Sequence, residues 1–598
     1  MILNLKHFSF FKDNGQKWIY FGLSYQKLNA LEKKSTSKRL IIRDRHLLNF
    51  SKEKKNILEW LSKQNNYYKD SIFWWMNSIS SRNNLTSHFF QGISQLSLIK
   101  DYLKKEKLNN DITIVAENFH LLKFLEDNLM NEYSIKGTKY LFFYLLLEKL
   151  NLIFKGLFNY IKLINFFITH YFFSKISQLG KKKEAMQKGE IFLFHDLVNS
   201  PNFKNKPTQS RYFGEFPYWL EKNKKKVVSL PWFYKNIKNK KKLYKNLREK
   251  KAFIPEDWLN LNDYLNCIKN SIKSAFSINE KIKYNILDIS NLIRYEKLLS
   301  LSTSKSAIFF RYIPALEKWA NKITSIKFFD HFQNQNYEHT LRYCLKKLNI
   351  KTISCGYYHS LHSMNYLPYV SYPDEWLSKF KPNYIVCSND ICEKKLVLQG
   401  VPKKRIKIVS DLQRESLIDI DQRNNENKNL LVILSLFPET NYEILNKIFK
   451  IKEYISDKLG LNVTIRSHPY VDHSRILKKL NIKNLPSNWN WSDKDLITDL
   501  QNNYCIITMH SAVITDAIYC NNNVIVLKSE LNVAENYLDF LENEFPIIQS
   551  TNEEDLMIKL KEIYFTKKNY YKDEFQKLKK KLNLNVDKNS YIKLQNLS

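Results

Sequence analysis

Leu430-Leu-Val-Ile-Leu434, Leu461-Asn-Val-Thr-Ile-Arg466, Tyr504-Cys-Ile-Ile-Thr508 and Asn523-Val-Ile-Val-Leu527 are short apolar runs separated by segments of helical spacing. Runs of this length, continuous rather than alternating, read as parallel strands buried on both faces. A second block precedes them: Glu190-Ile-Phe-Leu-Phe194, Lys226-Val-Val-Ser-Leu230, Ala307-Ile-Phe-Phe310, Thr352-Ile-Ser-Cys355, Tyr384-Ile-Val-Cys387 and Ile406-Lys-Ile-Val409. The polar residues 419–428 lie between the blocks and read as a linker. The expected fold class is therefore α/β, with two Rossmann-like doubly wound domains and a cleft between them.

The N-terminal third reads as a further α/β domain, residues 1–138. Its candidate strands are Trp18-Ile-Tyr-Phe-Gly22, Arg39-Leu-Ile-Ile-Arg43 and Asp111-Ile-Thr-Ile-Val-Ala116, with an aromatic helical stretch over residues 72–103. Residues 139–186 are expected to form an apolar helical connector. Lys149, Lys155 and Lys162 interrupt its apolar runs, so no uncharged stretch is long enough to span a bilayer. It reads either as one or two helices packed between domains or as a helix lying on a membrane surface. The first Rossmann-like domain is expected over 187–418. The second is expected over 428–565, with a basic tail over 566–598.

The formal charge is +36, from 95 Lys and Arg against 59 Asp and Glu. Only 14 of the 95 are Arg. Proteins that read base edges rely on the planar fork of Arg, so the composition argues against nucleic acid and toward phosphate-bearing small molecules and anionic membrane surfaces. Residues 181–251 carry 20 Lys and Arg against 6 Asp and Glu, a solvated face or a contact for an anionic acceptor. The seven cysteines form no Cys-x-x-Cys pair, and several sit in apolar runs. They read as free thiols of a reducing cytoplasm. The first residues lack a signal-peptide layout. A cytoplasmic protein is expected, with peripheral contact at the inner face of the membrane as a further expectation.

Three strand ends carry polar residues. One run leads into Arg466-Ser-His-Pro-Tyr470, another into Thr508-Met-His-Ser-Ala-Val513 followed by helix-like residues, and the first into Ser435-Leu-Phe-Pro-Glu-Thr440. His468 offers an imidazole to a phosphate oxygen, Pro469 stiffens the turn, and Ser511 stands where a helix would begin. Asp516, one turn on, is placed to meet a ribose hydroxyl. Singly these read as a turn histidine, an N-cap serine and a first-turn acid. At successive strand ends they read as an anion site, with Arg466 and Thr508 beside it. In the preceding domain the cleft-facing candidates are His195, Asp196, Glu215, Glu338 and His359. Glu338 or His359 is the expected general base. His359 and His362 make a weak metal pattern, and no metal or other cofactor is expected. Walker A, Gly-x-Gly-x-x-Gly and Gly-x-Ser-x-Gly motifs are all missing from the sequence.

Pro382-Asn-Tyr-Ile-Val-Cys-Ser-Asn389 with Leu398-Gln-Gly-Val-Pro402 and Ile406-Lys-Ile-Val409 resembles the end of the first domain of GT-B glycosyltransferases. Residues 466–469 and 508–513 resemble the His-Pro and Ser/Thr motifs of bacterial sialyltransferases, of Kdo transferases of capsule assembly and of CDP-glycerol glycerophosphotransferases. Arg211-Tyr-Phe-Gly-Glu215, Asn334-Gln-Asn-Tyr-Glu338 and Gly356-Tyr-Tyr-His-Ser360 resemble GT-B-like proteins of bacterial surface-carbohydrate biosynthesis, such as capsule and O-antigen. The resemblance covers residues 190–550 best. Ser511 is followed by Ala512, where those families carry adjacent serines. The resemblance implies a glycosyltransferase that takes a nucleotide-sugar donor, CMP- or CDP-linked in those families, and a glycan or lipid-linked acceptor. His468, Ser511 and Thr508 would hold the donor. The alternatives are a CDP-alditol phosphotransferase and a non-catalytic scaffold in a glycan-assembly complex.

Overall fold

The structure is a computed structural model. It describes residues 2–106, 111–179, 189–197, 210, 212–232, 239–359, 361–414, 429–468, 471–534, 536–541, 548–565, 577, 581–582 and 588–598. The polar stretch 419–428, the lysines at 181–183, Arg211, Ser360, Pro469 and most of the C-terminal tail lie outside the described residues.

The N-terminal sheet contains β1 (Ile2–His7), β2 (Lys17–Phe21), β3 (Ile112–Ala116) and β4 (Ser134–Lys136), in the order β2-β3-β1-β4, all parallel. The second sheet begins with β5 (Gly189–Leu197) and β6 (Lys226–Trp232). After a short hairpin of β7 (Lys283–Tyr284) and β8 (Leu287–Asp288), it continues with β9 (Ile323–His331), β10 (Lys351–Tyr358), β11 (Tyr384–Cys387) and β12 (Ile406–Ile408). Its order is β12-β11-β10-β9-β5-β6, again parallel. The third sheet contains β13 (Asn429–Ile433), β14 (Asn462–Arg466), β15 (Trp489–Trp491), β16 (Cys505–Thr508), β17 (Asn523–Leu527) and β18 (Ile548–Ser550). Its order is β15-β14-β13-β16-β17-β18, all parallel. The two expected Rossmann-like doubly wound domains and the additional N-terminal α/β layer are therefore present.

Two expected strands are corrected. Arg39 makes one bridge to Trp18, and the chain then enters the helix Arg43–Tyr67. Ile41 is exposed. Ala307-Ile-Phe-Phe310 is helical, within Lys305–Phe310, and buries Ser306, Ala307 and Phe310 at helical spacing. A four-residue apolar run does not by itself distinguish strand from helix. The place in the second sheet belongs instead to β9, where Lys327 and Asp330 interrupt the apolar signal. Strands β1, β4, β15 and β18 were also not anticipated. The aromatic stretch over 72–103 divides into three helices, Ile72–Trp75, Ser78–Ser81 and His88–Glu106.

The N-terminal unit is wedged against both larger sheets. Tyr25, Leu28 and Leu31 of the helix Tyr25–Lys34 share one core with Tyr442, Ile444 and Leu445 of the helix Pro438–Lys450. On its other side, Trp75 stacks on Phe380. Arg82 is fully buried and pairs with the buried Glu375, which also lies 3.5 Å from Lys381. The apolar connector is one helix, Leu141–Gln178. The C-terminal helix Lys588–Gln595 returns to the second sheet: Tyr591 joins the core around Phe216 and Phe329, and Ser590 Oγ accepts from the Ser410 N–H. No disulfide links the seven cysteines, six of which are buried.

The Gly-Val-Pro phrase has a steric cause. Gly400 has φ +89°, and a Cβ there would stand 1.8 Å from the Ser371 carbonyl oxygen. Gly460 has φ +63° but faces open space. Gly400→Ala should therefore destabilise the protein by about 3–5 kcal/mol, from backbone strain plus overpacking. Gly460→Ala should cost only about 1–2 kcal/mol. Urea unfolding of the two variants measures the difference.

Candidate functional site

In doubly wound sheets, ligands bind beyond the carboxyl ends of the strands, at the point where strand order reverses. The second sheet reverses between β5 and β9. His195 and His331 stand at the carboxyl ends of those two strands. Their rings are parallel, with centroids 5.6 Å apart. Trp232, at the end of β6, stacks against both. Tyr212 stacks on His331 at 4.6 Å and meets the His359 ring edge-on at 4.9 Å. His359 is half-buried, directly after β10. The strand ends of this domain thus form a wall of aromatic and imidazole rings.

The third sheet reverses between β13 and β16. Past β13, the Ser435 N–H donates to Asn441 Oδ1 at 2.6 Å, and Ser435 Oγ accepts from the Phe437 N–H. Thr508 closes β16, and its hydroxyl donates to the Ile433 carbonyl at 3.1 Å, tying the two strand ends together. His510 comes next but one, with φ +52° and only 3% exposure. A left-handed backbone is uncommon for a non-glycine residue and marks strain held by its surroundings. Its ring lies edge-on to Phe437. Ser511 Oγ accepts from the Val513 N–H at 3.3 Å, where the helix Val513–Tyr519 starts. His468 is half-buried just past β14, and its carbonyl accepts from the Val471 N–H.

The two sets of strand ends converge. Arg414, beyond β12, donates to Asp411 at 2.9 Å and to the His359 carbonyl at 3.3 Å, and forms an ion pair with Asp516. Ser363 and Met364, beyond β10, donate to Asp539, beyond β17. One apolar cluster runs from Phe332 and Tyr358 to Ile433, Ile506 and Ile514.

The other expected residues take different places. The Asp516 carboxylate is engaged by Arg414 rather than open to a ribose. Arg466 Nη1 donates to Asp499 at 2.6 Å and to the Lys494 carbonyl at 2.7 Å, so its charge is answered within the domain. Glu338 is fully buried. It accepts from the Gln333 and Asn334 N–H groups and from Arg342, which also pairs with the buried Asp330. Burial pushes the Glu338 carboxyl upward, against the pull of Arg342. This carboxylate closes the loop after β9 and does not open onto the cleft. Glu215 precedes the helix Phe216–Lys222; Asp196 keeps its expected place, next to His195 at the carboxyl end of β5. Among the described residues, no group of three or more His, Cys, Asp or Glu is arranged to hold a metal.

His331, Trp232, Arg414 and His510 were not anticipated as site residues. His510 lay inside a quoted motif and His331 at the end of an unrecognised strand. Arg414 pairs locally with Asp411, an ordinary surface pattern in sequence, and its link to the remote Asp516 has no local signal.

Burial, with the Arg342 charge, holds His195 down to about 3. Burial, partly opposed by the Ala534 backbone, holds His510 down to about 4. The unfolded chain therefore takes up these protons first, and stability falls as pH drops from about 6.5 toward 4. From pH 7 to pH 5, each such histidine should cost up to about 2 kcal/mol. His510→Asn, which tolerates the left-handed backbone, should flatten the fall in melting temperature across that range.

No protein-family model matches the chain, and no curated protein matches it. Solved structures of similar chain trace include the glycotransferase of kitacinnamycin, at 10% identity and TM-score 0.41, covering 69% of this chain and 100% of that one. The UDP-GlcNAc 2-epimerase of Methanocaldococcus jannaschii, in complex with UDP-GlcNAc and UDP, is 16% identical at TM-score 0.37, covering 64% and 94%. S. aureus MnaA with UDP is 12% identical at TM-score 0.39, covering 69% and 95%.

Proposed function

We propose that this chain transfers a sugar from a nucleotide donor to a glycan or lipid-linked acceptor in surface-polysaccharide assembly. The observation that carries the reading is that the carboxyl-end loops of two doubly wound sheets meet, joined by Arg414 beyond β12 and Asp516 beyond β16. The resemblance of the strand-end motifs supports the choice of chemistry.

In this reading the loops after β13, β14 and β16 hold the donor. His468 and the Ser511 hydroxyl meet its phosphate, and Thr508 keeps the two central strand ends in register. Trp232 and His359, the half-buried members of the ring wall of the first Rossmann-like domain, meet the acceptor sugar, since apolar sugar faces stack on aromatic rings. His359 takes the proton from the acceptor hydroxyl as that oxygen attacks the anomeric carbon. The nucleotide leaves with its phosphate charge, which donors at the strand ends stabilise. Glu338 is not given the base's role, because its carboxylate is enclosed.

A thermal-shift panel with CMP, CDP, UDP, GDP and a short DNA tests the reading. Binding to the folded state alone raises stability, by about 2.7 kcal/mol at a ligand concentration one hundred times Kd. A cytidine nucleotide should raise the melting temperature, and His468→Ala should abolish the shift. His359→Ala should keep the shift and lose transfer. A shift with UDP or GDP alone would retain a sugar-nucleotide enzyme and overturn the cytidine donor. No shift with any nucleotide would overturn the donor site and favour a scaffold.

A further inference from the structure

The helix Leu141–Gln178 is 38 residues long, about 57 Å at the usual rise. Its inner side is well seated. Leu152, Gly156, Leu163, Phe167, His170 and Ser174 are buried. Gly156 backs onto the Leu301 carbonyl, Asn159 donates to the Ser302 carbonyl at 2.6 Å, and the His170 ring bonds the Tyr244 hydroxyl at 2.8 Å. These contacts hold the helix against the helices Ser290–Thr303 and Lys240–Glu249.

Its outer side is bare and apolar. Phe143, Leu150, Phe154, Ile161, Ile168 and Phe172 are exposed along one face, Phe154 at 66% and Ile161 at 64%. Soluble surfaces rarely carry so continuous an apolar stripe without a partner. The exposed charges beside it are mostly basic, with Glu249 of the adjoining helix answering Lys245. Lys149, Lys155 and Lys162 are exposed, and Lys162 Nζ lies 4.0 Å over the Phe158 ring. Lys241, Lys242 and Lys245 are exposed on the adjoining helix. Glu148, the one acid of the helix, is turned inward, where it accepts from the Phe119 N–H at 3.0 Å. Among the described residues, no helix is long and apolar enough to cross a membrane.

We propose that this face lies in the surface of an anionic lipid bilayer, with its Phe, Leu and Ile side chains sunk between headgroups and its lysines on the phosphates. The geometry is that of an interfacial helix: an apolar face flanked by lysines. The charge pattern selects lipid over a second copy of the chain. A self-complementary contact would set the lysines of this helix against one another with no exposed acid of the helix to answer them, and the stripe is wider than a coiled-coil seam. The net charge of +36 acts in the same sense. The inference is independent of the donor reading, because no residue of this helix belongs to the crevice.

Co-sedimentation of the full chain with vesicles tests it. The protein should pellet with equimolar phosphatidylcholine and phosphatidylglycerol, and at least tenfold less with phosphatidylcholine alone. Raised salt should weaken the association. Phe154→Ser with Ile161→Ser should lose binding tenfold or more while the melting temperature and any nucleotide shift stay unchanged, since both side chains are exposed. Lys155→Gln with Lys162→Gln should lower only the preference for the anionic vesicles. The proposal is overturned if the folded wild type ignores anionic vesicles or if the serine variant binds them as well as wild type. It is equally overturned by a dimer in lipid-free buffer that the serine substitutions dissociate and vesicles do not.

Discussion

The placement of the crevice depends on one buried guanidinium. Arg414 is 4% exposed and meets Asp411, Asp516 and the His359 carbonyl. A buried cation is tolerable only when its charge and its hydrogen-bond donors are answered, and removal of one partner leaves the other uncompensated. The contact therefore joins the loop after β12 to the helix after β16. It holds the loops beyond β10 and β12 of the second sheet against the helix after β16, beside the reversal of the third sheet.

The other buried charges work in the same manner at the rear of the crevice. Arg342 gathers Asp330 and Glu338, and the Glu338 carboxylate holds the loop just past His331. Arg82 reaches from the N-terminal unit to Glu375 and to the Val370 carbonyl. The N-terminal unit therefore belongs to the body that supports the site. Its helix Tyr25–Lys34 packs on the first helix of the third sheet, and Glu439 at the start of that helix accepts from the Ser24 hydroxyl and the Gln26 N–H.

Strand legibility tracked composition. β11 and β17 are uninterrupted apolar runs, and their bounds in the structure coincide with their sequence reading. β9 was not legible because Lys327 and Asp330 break its pattern. Lys327 is satisfied by Glu190 and the Gln595 carbonyl, and Asp330 by Arg342, all outside the strand itself. Ala307-Ile-Phe-Phe310 misled for the opposite reason: an apolar run states that it is buried, not in which geometry.

The sequence by itself determined the α/β class, the presence of two blocks of parallel strands and the polar residues at the ends of β13, β14 and β16. These are local properties, written in apolar run length and in the few polar residues directly after each run. Only the tertiary structure decided that His195 and His331 stack at one reversal, that Arg414 takes the carboxylate of Asp516, that Glu338 is enclosed and that one face of the helix Leu141–Gln178 is left bare. Each of these depends on how elements far apart in the chain are brought together. The crossovers of a parallel sheet fix that arrangement, and no local pattern encodes it.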